Sequence, residues 1–476
     1  MHTFLWHDYE TFGVNPRRDR PAQFAAIRTD AELNEIGEPV MWYCRPAPDY
    51  LPDPQSCLIT GITPQTCLAL GMPEYEFARR IEQAFAQPNT VGAGYNTIRF
   101  DDEVTRFLLW RNLLDPYARE WQNNCGRWDL LDLVRATYAL RPDGINWPLN
   151  AEGRVSFRLE HLTAANGLAH DAAHDALSDV RATIALARLI RQNQPRLFDY
   201  CFKLHKKEAV AEQLSLHAKR PFLHVTGMVP VERGCTMLAW PLAVHPANKN
   251  EIIAWDLAYD PAELYTLDAA TVRLRLFSKS DALPEGIERL PIKSVHLNKS
   301  PVVIGQLKTL QPDRARQWQI DMEQALKYAE FLRDAPDLTD LWQQVYQRGQ
   351  DETVDVDEDL YGGFIGNNDR RTLARLHDAS PASLMQADPA FDDPRLEELL
   401  FRYRARNFAD LLSEPDLQRW QQLRTAKLLH GAGGARTLEQ LFATIDTLAE
   451  TADERGEAIL SALYDYAVSI APELAD

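Results

Sequence analysis

The most constraining feature of this chain is an apolar run that ends in two acids, Phe4-Leu5-Trp6-His7-Asp8-Tyr9-Glu10. The run reads as a buried strand. Residues at i and i+2 of a strand project to one side, so Asp8 and Glu10 point together. Two carboxylates about 4 Å apart repel by about 4 kcal/mol at an effective dielectric of 20. Divalent cations would reverse the sign of that interaction. An exposed strand end with two solvated acids is an equally good reading of the hexapeptide alone.

Two further strands, Gln23–Arg28 and Val40–Cys44, follow with turn residues between them and predict an antiparallel meander. Helical spacing then covers Pro73–Ala86, with Phe77, Ile81, Ala84 and Phe85 on one side. Val91–Tyr95 reads as a short strand, and helices are expected over Phe100–Asn112, Trp128–Leu140 and Asp175–Gln192. Strands first and helices later predict an α/β domain ending near residue 200. Residues 220–305 change to short β-like runs at Pro221–Val225, Thr236–Trp240 and Ile252–Trp255. From Pro312 onward the pattern is amphipathic helix, interrupted by the acidic run Asp351–Asp359, which reads as a solvated linker.

Two other segments carry candidate chemistry. In Asn96-Thr97-Ile98-Arg99-Phe100-Asp101-Asp102-Glu103 the acids start a helix, where they favour the dipole and cap free amides. Asp101, just after an anchoring aromatic, is also placed to be held toward a site. Gly92-Ala93-Gly94 lacks the third glycine of a dinucleotide loop. In His174-Asp175-Ala176-Leu177-Ser178-Asp179 a histidine at a helix entry precedes an acid by five residues, which can set a base beside a metal-bound carboxylate. A structural histidine is the plainer alternative. His170 and His174 raise zinc, but the other candidates are carboxylates, and oxygen-rich sites suit Mg²⁺ or Mn²⁺.

Composition bounds the rest. At roughly 100–200 residues per domain, 476 residues make two to four domains. No apolar run is long enough to span a membrane, and the N-terminus lacks a basic start and an apolar signal core, so a cytoplasmic protein is expected. Six cysteines without a CxxC pair read as reduced buried thiols. The formal charge of −18 argues at first against a nucleic-acid partner. It is uneven, however. Residues 1–202 hold 20 Arg, no Lys and 26 acids, residues 203–308 hold 14 basic residues and 11 acids, and residues 309–476 hold 17 and 32. The middle is therefore mildly basic, and since a field acts where its charges sit, the global charge does not by itself exclude a nucleic-acid partner.

The order of the three segments discriminates. Asp8-x-Glu10, then Asp101 after Asn96-x-x-x-Phe100, then His174 with Asp179, resembles the DEDDh 3′→5′ exonuclease superfamily, and the helix Trp128–Leu133 resembles the one after its second motif. Arg20–Asp30, Leu140–Pro148, Ser156–Thr163 and Tyr403–Phe408 are similar to the bacterial exonuclease I family within it, over nearly the whole chain.

The resemblance implies an RNase H-like exonuclease domain over 1–202, a mixed sheet with helices. An SH3-like β domain over 203–350 and an α-helical C-terminal domain over 351–476 would follow and help enclose the DNA. It implies processive 3′→5′ hydrolysis of single-stranded DNA to 5′-mononucleotides, in DNA repair and recombination. Asp8, Glu10, Asp101 and Asp179 would hold two Mg²⁺ ions (Mn²⁺ being the alternative), with His174 as general base. Glu10, Thr11, Phe12 and Arg158 become substrate-binding candidates, Phe12 either stacking on the terminal base or packing in the core. Arg402, Arg404 and Arg406 would line the DNA passage. The family also implies a partner, the acidic tail of single-stranded DNA-binding protein, with Arg141, Tyr200 and Arg220 as candidate contacts. Gln311 stands where a family arginine is expected. A monomer is expected. Another DEDDh nuclease, or a silent DNA-binding scaffold, is the alternative; the length argues against the first and the five filled catalytic positions against the second.

Overall fold

The computed structural model describes residues 2–169, 175–214, 219–347 and 354–472. The chain forms two compact units. One takes residues 1–126, 171–181 and 352–476, the other residues 127–170 and 182–351.

In the first unit, β1 (Thr3–Thr11), β2 (Pro21–Thr29) and β3 (Val40–Tyr43) form the expected antiparallel meander. The β1–β2 register shifts between Glu10 and Thr11, where the strand passes its last acid. Two short helices that apolar periodicity does not reveal follow, α1 (Pro54–Thr60) and α2 (Pro64–Leu70). Punctuation makes them: Asp53 and Thr63 cap their first amides, each has proline in its first turn, and Gly61 ends α1 at φ 73°. Then come α3 (Glu74–Phe85), β4 (Thr90–Gly94) and α4 (Asp101–Arg111). Strand β4 runs parallel to β1 but pairs only over Thr3–Trp6, so the sheet is mixed and β1 outruns its neighbour. Leu5, Tyr9, Phe24, Phe77, Ile81, Phe85 and Leu108 close the core between sheet and helices.

The helix expected from Trp128 begins later. Strand β5 (Gly126–Asp129) takes Trp128 and Asp129, and α5 (Leu130–Leu140) starts where the Asp129 carboxylate accepts the Leu131 amide at 2.9 Å. Helices α6 (Leu159–Ala165), α7 (Ala176–Asn193), α8 (Pro195–Lys203) and α9 (Lys207–Leu214) follow; the first turn of α7 belongs to the first unit. The β-rich region expected after residue 220 is a five-stranded antiparallel sheet of β6 (Phe222–Val225), β7 (Thr236–His245), β8 (Asn248–Asp256), β9 (Ile292–His296) and β10 (Val302–Ile304), ordered β10-β6-β7-β8-β9. Phe222, Met237, Ala239, Ile252 and Val303 fill its core. Helices α10 (Ala269–Phe277), α11 (Pro312–Gln317), α12 (Met322–Asp334) and α13 (Thr339–Val345) complete the second unit.

The remaining helices return to the first unit: α14 (Asn367–His377), α15 (Pro381–Gln386), α16 (Arg395–Asn407), α17 (Glu414–His430), α18 (Leu438–Ala449) and α19 (Glu454–Ile470). Leu428, Leu441, Ile445, Leu460 and Leu463 bury against Leu51, Cys57 and Cys67, and Leu396, Leu399 and Leu400 against Phe107 and Trp110.

Two charge readings are corrected here. The acidic run is not a solvated linker over its described part, because Asp355 and Asp357 turn inward. Asp357 meets Arg406 at 2.5 Å, Arg402 at 3.1 Å, Lys427 at 3.2 Å and Arg20 at 3.3 Å. Arg406 also meets Asp49 at 2.8 Å, and Arg402 meets Asp355 at 2.6 Å. Burial alone would push Asp357 up, yet Arg406, Lys427, Arg20 and Arg402 hold it well below the usual carboxylate range. Arg402 and Arg406 are therefore committed to buried partners instead of lining a DNA passage. Arg404 donates to the carbonyls of Leu384 and Ala387 at 2.6 and 2.5 Å. A buried guanidinium needs such partners because an unpaired buried charge is strongly destabilising.

All six cysteines are buried free thiols, as expected. Among the described residues, no helix is long and apolar enough to cross a membrane.

Candidate active site

Three elements converge at the open end of β1. Asp8 and Glu10 share one face of the strand. Asp179 lies in the first turn of α7, where Asp175 caps the helix by accepting the Ser178 amide at 3.0 Å. Ligand oxygens of Asp8, Glu10 and Asp179 all lie within 4.8 Å of one another. Asp101, 4% exposed, opens α4 and accepts the Tyr9 amide at 3.0 Å through Oδ1. The next acid does different work: Asp102 receives Arg119 at 2.6 Å in a fully buried pair.

The electrostatics follow from that crowding. Burial, then Asp101, Glu10 and Asp179, push the Asp8 carboxyl well above its ordinary range. Burial, then Asp179, Asp101 and Asp175, push Glu10 up to about 8. Among the described residues, no basic group contributes to either shift. An all-oxygen set of this kind fits hard divalent cations and offers no soft ligand. Glu10 is buried and Asp8 and Asp179 half-buried, so the acids are not at a fully exposed strand end.

The other sequence candidates divide. His170 and His174 lie outside the described residues. The Thr11 hydroxyl donates to the Gly13 carbonyl at 2.6 Å and so shapes the loop after the acids. Phe12 is 1% exposed, packed with Leu51, Cys57, Leu428 and Leu441. That is the core alternative, and it corrects the stacking one: neither ring face is open to a base. The Arg158 side chain is 73% exposed in the second unit, 3.8 Å from Glu160, and is available to a phosphate.

Arg141 and Tyr200 line one cavity of about 810 Å³ in the second unit, together with Arg196, Gln213, Gln306 and Thr309. The Tyr200 hydroxyl donates to Val303 O at 2.7 Å, and Arg141 Nη1 to Thr309 O at 3.3 Å. Arg220 is exposed and is not part of that lining, and Gln311 stands at the N-cap position of α11 without a side-chain capping bond. Sequence reasoning missed Tyr9 and the cap Asp175. An acid three residues before the Ser178 amide at a helix entry was the available signal for Asp175; Tyr9 had none.

A mixed sheet with paired acids at the end of its central strand, joined by acids from two helix starts, defines an RNase H-like exonuclease domain. The exonuclease family model matches residues 5–187, the Exonuclease I SH3-like domain 205–348 and the Exonuclease I C-terminal domain 354–470. The chain belongs to the exodeoxyribonuclease I family. It is 46% identical to exodeoxyribonuclease I of Escherichia coli K12 over 475 residues, 98% of each chain. Among solved structures it is similar to a moderately thermophilic exonuclease I from Methylocaldum szegediense, with a TM-score of 0.94, 46% identity and coverage of 99% of this chain and 100% of that one. Escherichia coli exonuclease I in complex with a dA16 oligonucleotide gives 0.92, 45%, 99% and 100%. The zinc-bound form of its single-stranded DNA complex gives 0.91, 45%, 99% and 99%.

Proposed function

We propose that this protein hydrolyses single-stranded DNA processively from its 3′ end, releasing 5′-mononucleotides, and serves DNA repair and recombination. The observation that carries the reading is the convergence of Asp8, Glu10 and Asp179 within 4.8 Å, with the ionisation of Asp8 and Glu10 opposed by burial and by their acidic neighbours. Relatives crystallised with oligonucleotides support the substrate class, and a relative that binds zinc supports a divalent metal.

Asp8, Glu10, Asp101 and Asp179 would hold two divalent cations, Mg²⁺ by preference and Mn²⁺ as the alternative. Bound there, the cations supply Lewis-acid chemistry, activating the attacking water and offsetting charge on the departing 3′ oxygen. The four acids balance the cations without offering a competing nucleophile. His174, whose ordinary pKa is near 6.5, would take the proton of the attacking water at neutral pH. Glu10 and Thr11 would border the terminal nucleotide, and Arg158 would contact a backbone phosphate.

The cavity holding Arg141 and Tyr200, with Arg220 as a further contact, is the candidate dock for the acidic tail of single-stranded DNA-binding protein. The working form is a cytoplasmic monomer.

The test is digestion of 5′-labelled single-stranded and duplex DNA with Mg²⁺ or EDTA, beside Asp8→Ala. A ladder shrinking from the 3′ end, on single strands only and abolished by EDTA or by the substitution, is the expected outcome. Equal action on duplex or RNA would overturn the assignment.

A further inference from the structure

Tyr9 sits between the two strand acids but points to the opposite face, where its ring packs 4.9 Å from that of Phe24. Two separate bonds tie it to the start of α4. Because β4 stops pairing at Trp6, the Tyr9 amide lies beyond the parallel ladder and donates to Asp101 Oδ1 at 3.0 Å. The second tie runs through Thr105, whose Oγ1 lies 2.8 Å from the Asp101 carbonyl oxygen and 3.0 Å from the Tyr9 hydroxyl. The Thr105 hydroxyl is the donor toward both oxygens, so it links the Tyr9 hydroxyl to the first turn of α4.

We infer that Tyr9 and Thr105 form a brace that positions Asp101 against Asp8 and Glu10, setting the spacing of the proposed cation site. The inference rests on the carboxylate reading above. Both hydroxyls are buried, and a core tyrosine needs none at this place. Phenylalanine would fill the same volume against Phe24 but would remove the oxygen to which Thr105 donates, cutting the link between β1 and α4. Tyr9 and Thr105 are positioning residues: neither reaches the cation, and both act through the carbonyl and carboxylate of Asp101. Partners of this kind orient ligands, and their loss typically lowers metal affinity about 10–100-fold.

The test uses the full chain and Mn²⁺ as the probe, with binding read by electron paramagnetic resonance and by the Mn²⁺-induced rise in melting temperature. Tyr9→Phe and Thr105→Val should each weaken Mn²⁺ binding by about tenfold. The double variant should be no weaker than either single one, since both break one chain of bonds. Thr105→Ser, which keeps the hydroxyl, should restore affinity. At saturating Mn²⁺, turnover on single-stranded DNA should recover more fully in Tyr9→Phe than in Asp101→Asn. If Tyr9→Phe lowers the melting temperature but leaves Mn²⁺ affinity at the wild-type value while Asp101→Asn abolishes it, the brace is overturned and the carboxylate site stands. If Asp101→Asn also binds Mn²⁺ normally, both readings fall.

Discussion

At Glu10, burial and the acids Asp179, Asp101 and Asp175 push the carboxyl up to about 8, so the cation-free protein keeps a proton there at neutral pH. The unfolded chain releases that proton near the ordinary value of 4.5. Between these values the folded state binds more protons. The stability of the cation-free protein therefore falls as pH rises from about 4.5 to about 8 and levels beyond it. A cation must displace the proton, so binding takes the opposite dependence. Mg²⁺ or Mn²⁺ affinity should rise about tenfold per pH unit for one displaced proton. It should level only once both Glu10 and Asp8, which is also pushed well above its ordinary range, are ionised. Calorimetry in buffers of different ionisation enthalpy reads the proton release directly. An affinity constant between pH 6 and 8 would contradict it.

At the scale of elements, the end of β1 shows how one sequence run serves two purposes. Asp8 and Glu10 face the site, and two residues later Phe12 anchors the chain among Leu428, Leu438 and Leu441 of the C-terminal helices. Phe12→Leu keeps most of that packing and should cost under about 1.5 kcal/mol in urea unfolding. The affinity for a short oligothymidylate should be unchanged by fluorescence anisotropy. A stacking role would instead lose about 1–3 kcal/mol of binding.

The long periodic helices, α3, α4 and α7, and the first three strands were legible because hydrophobic spacing alone specifies them. Helices α1 and α2 were not, since caps and prolines rather than periodicity make them. Strand β9 hid because Lys293, Ser294 and His296 are only half-buried, and β10 because it is three residues long.

Over the whole molecule, charge sorts by depth rather than by sequence position. The net −18 includes acids that never meet solvent, among them Asp49, Asp101, Asp102 and Asp357, and part of the rest is the proposed cation site. The charge left exposed includes Arg158, the proposed phosphate contact. Affinity for an oligothymidylate in Ca²⁺ or EDTA should fall linearly on a log–log plot against salt, with a slope near −0.7 per phosphate contacted. Binding that is flat between 50 and 200 mM salt would place recognition in stacking alone.

The sequence by itself determined the class of chemistry. The paired acids alone left a cation site and a solvated strand end equally open, and it was their order with Asp101, His174 and Asp179 that set the family resemblance. It also determined the main helices and strands, since periodicity is a local property. Tertiary structure alone decided which charges are spent inside. The family resemblance had Arg402 and Arg406 lining a DNA passage, and the sequence pattern had Asp355 and Asp357 in a solvated linker. Desolvation makes each costly alone and tolerable together, and only the folded chain brings residue 49 to residue 406. The same holds for Tyr9: its bonds to Asp101 and Thr105 exist because β1 outruns β4, a fact of register that no local pattern contains.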